Sequence, residues 1–269
     1  MTDKETLTLA IEGEEIAFPV ATGASGPVFF SLGVRKSGST MLHRIVNFLA
    51  TQNGVNIVDV PGAFFKRGYT FNHWAPLDLE PMVRPGNLYT GFRAYPARLA
   101  ETAAFTDARK VFMFRDPRDA LVSQYFSDAY SHSLPAAETE GRQQFLEKRE
   151  EAQAAAIDDW VLDKAGPLRR TMMAYLPVLD DPGTLVLRYE DYVFQKRRMI
   201  RKILQHFGWS VAPGPLARLL ADVDVVPEVE DKTRFVRKAV PGDHNAKLAP
   251  ETIRRLNHRL ADVIEAFDY

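Results

Sequence analysis

No cysteine occurs among the 269 residues, which excludes a disulfide framework, a cysteine nucleophile and thiolate metal sites. This fits a reducing compartment. A long hydrophobic run is also missing: no stretch approaches the ~18 consecutive apolar residues of a membrane span. The start, MTDKETLTLAIEGEEIAFPV, is acidic and lacks the basic and apolar regions of a secretory signal. These absences predict a soluble, cytoplasmic protein with no membrane partner. An excess of one charge is absent too, since 34 Lys and Arg stand against 35 Asp and Glu, for a formal net charge of −1. No global field draws such a chain to nucleic acid, so any anion must be met by local clusters. No constellation of His and carboxylates stands out as a metal site, and no metal is expected.

What is present is an ordinary globular composition, 46% hydrophobic and 26% charged. Short β-rich runs recur at 28–34, 55–60, 88–93, 110–115 and 184–190. Several are almost continuously apolar, as parallel strands covered on both faces require. Helical patterns alternate with them at 39–50, 119–130, roughly 138–164, 192–207 and 250–267. The alternation predicts one α/β domain over 1–269, with three layers and a central parallel sheet flanked by helices. Segments 61–87 and 222–249 have no clear periodicity and read as long functional loops.

Two motifs carry chemistry. In FFSLGVRKSGSTML, residues 29–42, a strand runs into Gly33, and Gly38 then opens an apolar helix. Such a turn aims backbone N–H groups and the positive end of the helix dipole at one spot, a P-loop-like anion site. Ser39 holds the place where an ATP-binding loop has its lysine, which disfavours a standard triphosphate site. Lys36 lies inside the loop instead, with Ser37, Ser39 and Thr40 as hydroxyl donors and Arg35 as a second cation. A turn of this composition with no ligand is the other reading. The second motif, KVFMFRDPRDALVSQYFS, is a strand ending at Arg115, then an Asp116 N-cap, Pro117 and a helix with Leu121, Val122, Tyr125 and Phe126 on its buried stripe. Arg115 falls at a strand's carboxyl end, where open α/β sheets bind ligands; alternatively Arg115 and Arg118 only pair with Asp116 and Asp119.

Together these motifs resemble the PAPS-dependent sulfotransferases, PAPS being 3'-phosphoadenosine 5'-phosphosulfate. Residues 35–40 match that family's P-K-S-G-T-T loop, with Arg35 replacing the proline. Arg115 and Ser123 reproduce its second motif, LRYEDY resembles its Tyr-Glu-Asp strand end, and FVRKAVPGD resembles its closing segment with Ala239 in place of a glycine. The resemblance spans roughly 28–267. It implies that Arg35, Lys36, Ser37, Gly38, Ser39, Thr40 and Met41 hold the 5'-phosphosulfate. It likewise implies that Arg115, Ser123, Arg237 and Lys238 hold the 3'-phosphate and that Tyr189 contacts the adenine. The activity implied is transfer of a sulfuryl group from PAPS, without metal, to a hydroxyl or amine of a small-molecule or glycan acceptor. Lys36 would neutralise the departing phosphate of PAP, the desulfated product.

The family's usual general base, a histidine in a K-T-H-x-P setting, has no counterpart: Phe92-Arg93-Ala94-Tyr95-Pro96 stands there. His73, in FNHWAPLD, is the expected substitute, with Trp74 as a wall of the acceptor pocket and His132 next in line. Asp78 and Glu80 are carboxylate alternatives. Arg93 reads either as a grip on an anionic acceptor or as a structural ion pair. His43 reads as a surface residue and His244 as part of the closing segment, while His206 and His258 belong to amphipathic helices. Lys196-Arg197-Arg198 with Arg201-Lys202 reads as a solvated helix face or a polyanion groove. A catalytically silent nucleotide-binding relative and an ATP-dependent kinase are the competing readings of the whole.

Overall fold

The structure, a computed structural model, describes residues 3–132, 134, 140–234 and 236–269. Strands β1 (Lys4–Ile11) and β2 (Glu14–Ala21) form an antiparallel hairpin. Its two-residue turn, Glu12-Gly13, has positive φ at both positions, 49° and 85°, the handedness that matches strand twist. Five parallel strands follow: β3 (Phe29–Gly33), β4 (Asn56–Val58), β5 (Asn87–Phe92), β6 (Arg109–Phe114) and β7 (Thr184–Arg188), in the order β4-β5-β3-β6-β7. Helix α1 (Ser39–Gln52) leaves β3, α2 (Val60–Lys66) leaves β4 and α3 (Pro117–Phe126) leaves β6. Then come α4 (Glu140–Ala154), α5 (Ile157–Met173), α6 (Lys196–Phe207), α7 (Pro213–Val223) and α8 (Pro250–Arg259).

Every residue of β3 is buried, and its side chains alternate between two cores. Phe30 and Leu32 join Phe112 and Phe114 on one face, while Phe29 joins Val111, Met113 and Leu187 on the other. A strand period of two thus fills both faces of one sheet, which is why the runs read as continuously apolar. Helix α1 lays Leu42, Ile45, Val46 and Leu49 on the second face. At roughly 1.5–3 kcal/mol for each such side chain buried, this packing fixes where the helix N-terminus sits.

The predicted three-layer α/β architecture is present, with differences in its elements. The segment 61–87 is not a bare loop: it holds most of α2, a short helix at Phe71–Trp74 and a 3₁₀ turn at Glu80–Met82. The helix expected over 138–164 breaks between α4 and α5, and residues 138 and 139 lie outside the described residues. After Phe126 the second-motif helix widens into a π-helical turn, Ser127–Ser131. The hairpin and α7 were not anticipated.

Candidate active site

The loop Val34–Gly38 joins the carboxyl end of β3 to α1. The first i→i−4 bond of α1 runs from the Leu42 N–H to the Gly38 carbonyl at 3.0 Å. The amides of Ser39, Thr40 and Met41 therefore have no acceptor within the helix, and its first turn carries no acidic side chain. Gly38 has φ 82°, and a Cβ there would come within 2.8 Å of the Tyr189 ring. Only glycine lets that aromatic side chain pack against the loop. Lys36 itself adopts φ 64°, a left-handed conformation unusual for a long side chain.

Charges converge here. Burial, then the Arg35 guanidinium, with Arg93 and Arg115 also contributing, pushes the Lys36 ammonium down to about 8, and Asp128 opposes them. Three cations around a fourth, with one carboxylate nearby, make a site that favours an anion. Arg93 extends from the end of β5 and donates to Thr40 Oγ1 at 3.1 Å. Arg115 is 6% exposed. It donates to Asp119 Oδ2 at 3.1 Å and to the Val240 carbonyl at 3.2 Å, and its guanidinium lies 4.5 Å from the Tyr189 ring centroid. Its Nε is buried and has no partner among the described residues. A desolvated donor of that kind is costly unless a ligand accepts from it.

Asp119 binds the closing segment to α3. Its carboxylate accepts from the Gly242 N–H at 2.7 Å, the His244 N–H at 3.0 Å and His244 Nδ1 at 2.7 Å. Burial alone would raise this carboxyl, but the His244 hydrogen bonds and the Arg115 guanidinium outweigh it and hold it well below the usual carboxylate range. Arg237 pairs with Glu230 and Asp243, and Lys238 donates to Asp243 at 2.7 Å. Ala239, where the sulfotransferase pattern has glycine, sits at φ 55°. The alanine thus adopts the backbone conformation that glycine would supply at some cost in strain. Phe235, part of the same motif, lies outside the described residues. At the end of β7, Glu190 accepts from the Asp116 N–H at 3.1 Å and from the Tyr269 hydroxyl at 2.7 Å, tying two strand ends together.

Several expectations need correction. The Ser37 hydroxyl is not available as a ligand donor: it is fully buried, 2.6 Å from the Val34 carbonyl and 3.0 Å from that of Met113, so it holds the loop to the sheet. Met41 packs its side chain against the second core, leaving only its amide to the site. His73 is a helix cap. Its Nδ1 accepts the Thr70 N–H at 3.0 Å, and its Nε2 faces Glu12 of the hairpin at 3.9 Å. Trp74, 4% exposed, packs edge-on against Phe92 inside the core and against the exposed Phe71 at its edge, rather than walling a pocket. His43 is not a plain surface residue. It is half-buried, with Nδ1 3.0 Å from Thr90 Oγ1 and Nε2 3.1 Å from the Asn47 amide and 3.8 Å from Asp59. Lys196 leaves the basic helix face altogether: it is 3% exposed and paired with Asp224 at 2.9 Å. The alternative pairings of Arg115 with Asp119 and of Arg118 with Asp116 are both present. Asp128, whose carboxylate acts on Lys36, was missed, because only tertiary packing brings it to the loop.

Among the described residues, no cluster of three or more His, Cys, Asp or Glu side chains could hold a metal ion, and no helix is long and apolar enough to cross a membrane. The fold defines a single α/β domain with a central parallel sheet flanked by helices, and cationic side chains lie at the carboxyl ends of β3 and β6. A family model described as the sulfotransferase domain matches residues 27–267, and the chain belongs to that family. Among solved structures it is similar to mouse sulfotransferase SULT7A1 complexed with PAP, at TM-score 0.57 and 16% identity, covering 96% of this chain and 94% of that one. Retinol dehydratase in a complex with retinol and PAP matches at TM-score 0.49 and 16% identity, over 97% and 90% of the two chains. A sulfotransferase from Alicyclobacillus acidocaldarius matches at TM-score 0.45 and 17% identity, over 91% and 95%. No curated protein sequence matches.

Proposed function

We propose that the protein moves a sulfuryl group from PAPS to a hydroxyl or amine of a small-molecule or glycan acceptor, with Lys36 stabilising the leaving phosphate. The observation that carries this reading is the pairing of two anion sites on adjacent strand ends. One is the open helix N-terminus with Lys36; the other is buried Arg115 with its unpartnered Nε. A donor bearing phosphates at both ends of a nucleoside needs two such sites. The amides of Ser39, Thr40 and Met41, with Arg35 and the Thr40 hydroxyl, would hold the 5'-phosphosulfate. Arg115, Ser123, Arg237 and Lys238 would hold the 3'-phosphate, and Tyr189 would flank the adenine.

PAPS supplies an activated sulfate, so the residues of this chain have to position it and answer charge rather than create a nucleophile. Lys36, inside the loop, places an ammonium where charge develops on the phosphate that departs. In the free protein burial and then the cationic neighbours already disfavour the charged ammonium, and a bound polyanion would restore it. Arg93, beside Thr40, is suited to grip an acceptor's anionic group. A second reading, a relative that binds nucleotide without transferring sulfate, is motivated by Ala94 at the position of the missing histidine.

The test is incubation with PAPS, without magnesium, and a panel of alcohols, phenols, amines and oligosaccharides. Sulfated product is expected with at least one acceptor, and Lys36→Ala should lower kcat by roughly 10²–10³ while PAP still raises the melting temperature. PAP binding with no transfer to any acceptor would favour the silent relative.

A further inference from the structure

We infer that Glu230 is an internal counter-anion of the donor site, masking Arg237 until a 3'-phosphate displaces it. The inference rests on the PAPS reading and adds to it a residue that lies before the closing motif. Arg237 and Lys238 are expected to meet the 3'-phosphate, yet both are already paired. Arg237 is gripped by two carboxylates: its Nη1 donates to Glu230 and its Nη2 to Asp243. Lys238 donates to Asp243 at 2.7 Å. A guanidinium recognises oxyanions through a rigid fork of N–H groups, and here each terminal nitrogen of the fork faces a carboxylate. Phosphate gains the fork only where one carboxylate gives way.

The two carboxylates are not equivalent. The Asp243 side chain is 1% exposed, accepts from Arg237 and Lys238 together, and lies in the 242–244 stretch whose amides donate to Asp119. The Glu230 side chain is 26% exposed and stands on the segment between α7 and the closing motif. Its second oxygen accepts from Lys247 Nζ at 2.8 Å. Arg237 and Lys247 flank one ring, 4.2 and 5.5 Å from the Phe126 centroid. Glu230 can therefore release Arg237 and keep Lys247. Burial works against its charge, but hydrogen bonds from Lys247 and Arg237 outweigh it and hold the carboxyl below its ordinary value. It is an anion at neutral pH.

The masked arginine adjoins the other half of the proposed 3'-phosphate site. Arg115 donates to the Val240 carbonyl at 3.2 Å, three residues beyond Arg237, and its buried Nε has no partner among the described residues. Burial raises the Tyr189 hydroxyl, and both Arg115 and Arg237 act against that rise, so the two guanidinium groups share one neighbourhood. A phosphate monoester carries about −1.5 to −2 at pH 7, against the single charge of Glu230. The exchange thus replaces one negative charge with nearly two and gives the Arg115 Nε an acceptor. A nucleotide with only a 3'-hydroxyl brings no such charge and leaves the Glu230 pair intact. Glu230 therefore lowers affinity selectively for nucleotides with a 3'-phosphate, which keeps the product exchangeable.

The experiment measures dissociation constants of PAP and of adenosine 5'-phosphate by calorimetry. The proteins are wild type, Glu230→Gln, Glu230→Ala, Arg237→Met and the double variant Glu230→Gln/Arg237→Met. Both Glu230 variants should bind PAP roughly 5–20-fold more tightly and adenosine 5'-phosphate as the wild type does. Arg237→Met should weaken PAP, and in its background Glu230→Gln should bring no gain. Unchanged or weaker PAP binding in either folded Glu230 variant would overturn the inference while leaving the donor reading intact. So would unweakened PAP binding in Arg237→Met, or failure of both Glu230 variants to fold, since Glu230 would then serve the fold. A gain that persists without Arg237, or equal gains for the two nucleotides, would reduce Glu230 to a general field effect and overturn it too. Wild type with no affinity for PAP would sink the donor reading, and this inference with it.

Discussion

On the proposed reading donor recognition turns on Lys36, and its depressed value makes a signed prediction. In the free protein, burial and then Arg35 bring its ammonium to about 8 from an ordinary 10.5. A bound phosphate favours the charged form and lifts the value again. Binding above pH 8 therefore takes up a proton, so PAP affinity should be level in mildly acidic solution and fall as pH rises through the free value. Between the free and bound values the loss approaches tenfold per pH unit. Calorimetric titration from about pH 6.5 to pH 9.5 checks this; Lys36→Arg should flatten the slope, because arginine stays charged throughout. A level profile in the wild type would remove Lys36 from the anion site. The loop that carries Lys36 was legible in the sequence because it is set locally, by glycine spacing, a strand before it and a helix after it. The histidines were not. His73 sits among aromatic residues in the chain, yet its lone pair is spent on the Thr70 N–H three residues away. His132 stacks on Phe65 of α2, an element far back in the chain.

At the scale of elements, the closing segment is held through one carboxylate. Asp119 receives two backbone amides and an imidazole from residues 242–244 and a guanidinium from Arg115, all while fully buried. Its folded value is depressed, so its contribution is present above the unfolded carboxylate value and is lost as pH falls below it. Asp119→Ala leaves buried donors without acceptors and should cost about 3 kcal/mol or more. It should also weaken PAP, because both Arg115 and the Arg237–Lys238 segment lose their anchor. Urea unfolding beside PAP titration measures the two effects; retained affinity despite lost stability would detach the segment from donor binding. In the sequence, Asp119 reads as a first-turn acidic residue, a weak signal shared by many helices, and its partners lie over a hundred residues on. The parallel strands were legible because burial on both faces leaves no polar alternation. The hairpin was within reach, since Glu12-Gly13 separates two alternating runs, yet it went unread. The π turn after α3 and the break between α4 and α5 depend on packing that no local pattern records.

Across the whole molecule, the chemistry gathers at the carboxyl ends of the strands while the amino ends are secured separately. Asn87, at the start of β5, is fully buried. It accepts from the Ala21 N–H at 2.9 Å and donates to the Ala21 carbonyl at 3.0 Å, fastening the hairpin to the sheet. Asn56 donates to the same side chain at 2.7 Å. Asn87→Ala strands three polar groups and should cost roughly 2–3 kcal/mol, lowering the melting temperature by about 4–12 °C for a chain of this size. Its distance from the loop predicts unchanged kcat. PAP at a hundred times its dissociation constant adds about 2.7 kcal/mol to any variant that binds it normally. The increment should therefore be the same in wild type and Asn87→Ala, with no metal present, and smaller in Asp119→Ala at the same PAP concentration. Thermal melts of the three proteins with and without PAP make the comparison. Equal increments in all three would mean that Asp119 secures the fold without shaping the donor site. A reduced increment in Asn87→Ala would mean that the two ends of the sheet are energetically coupled and that the hairpin takes part in binding.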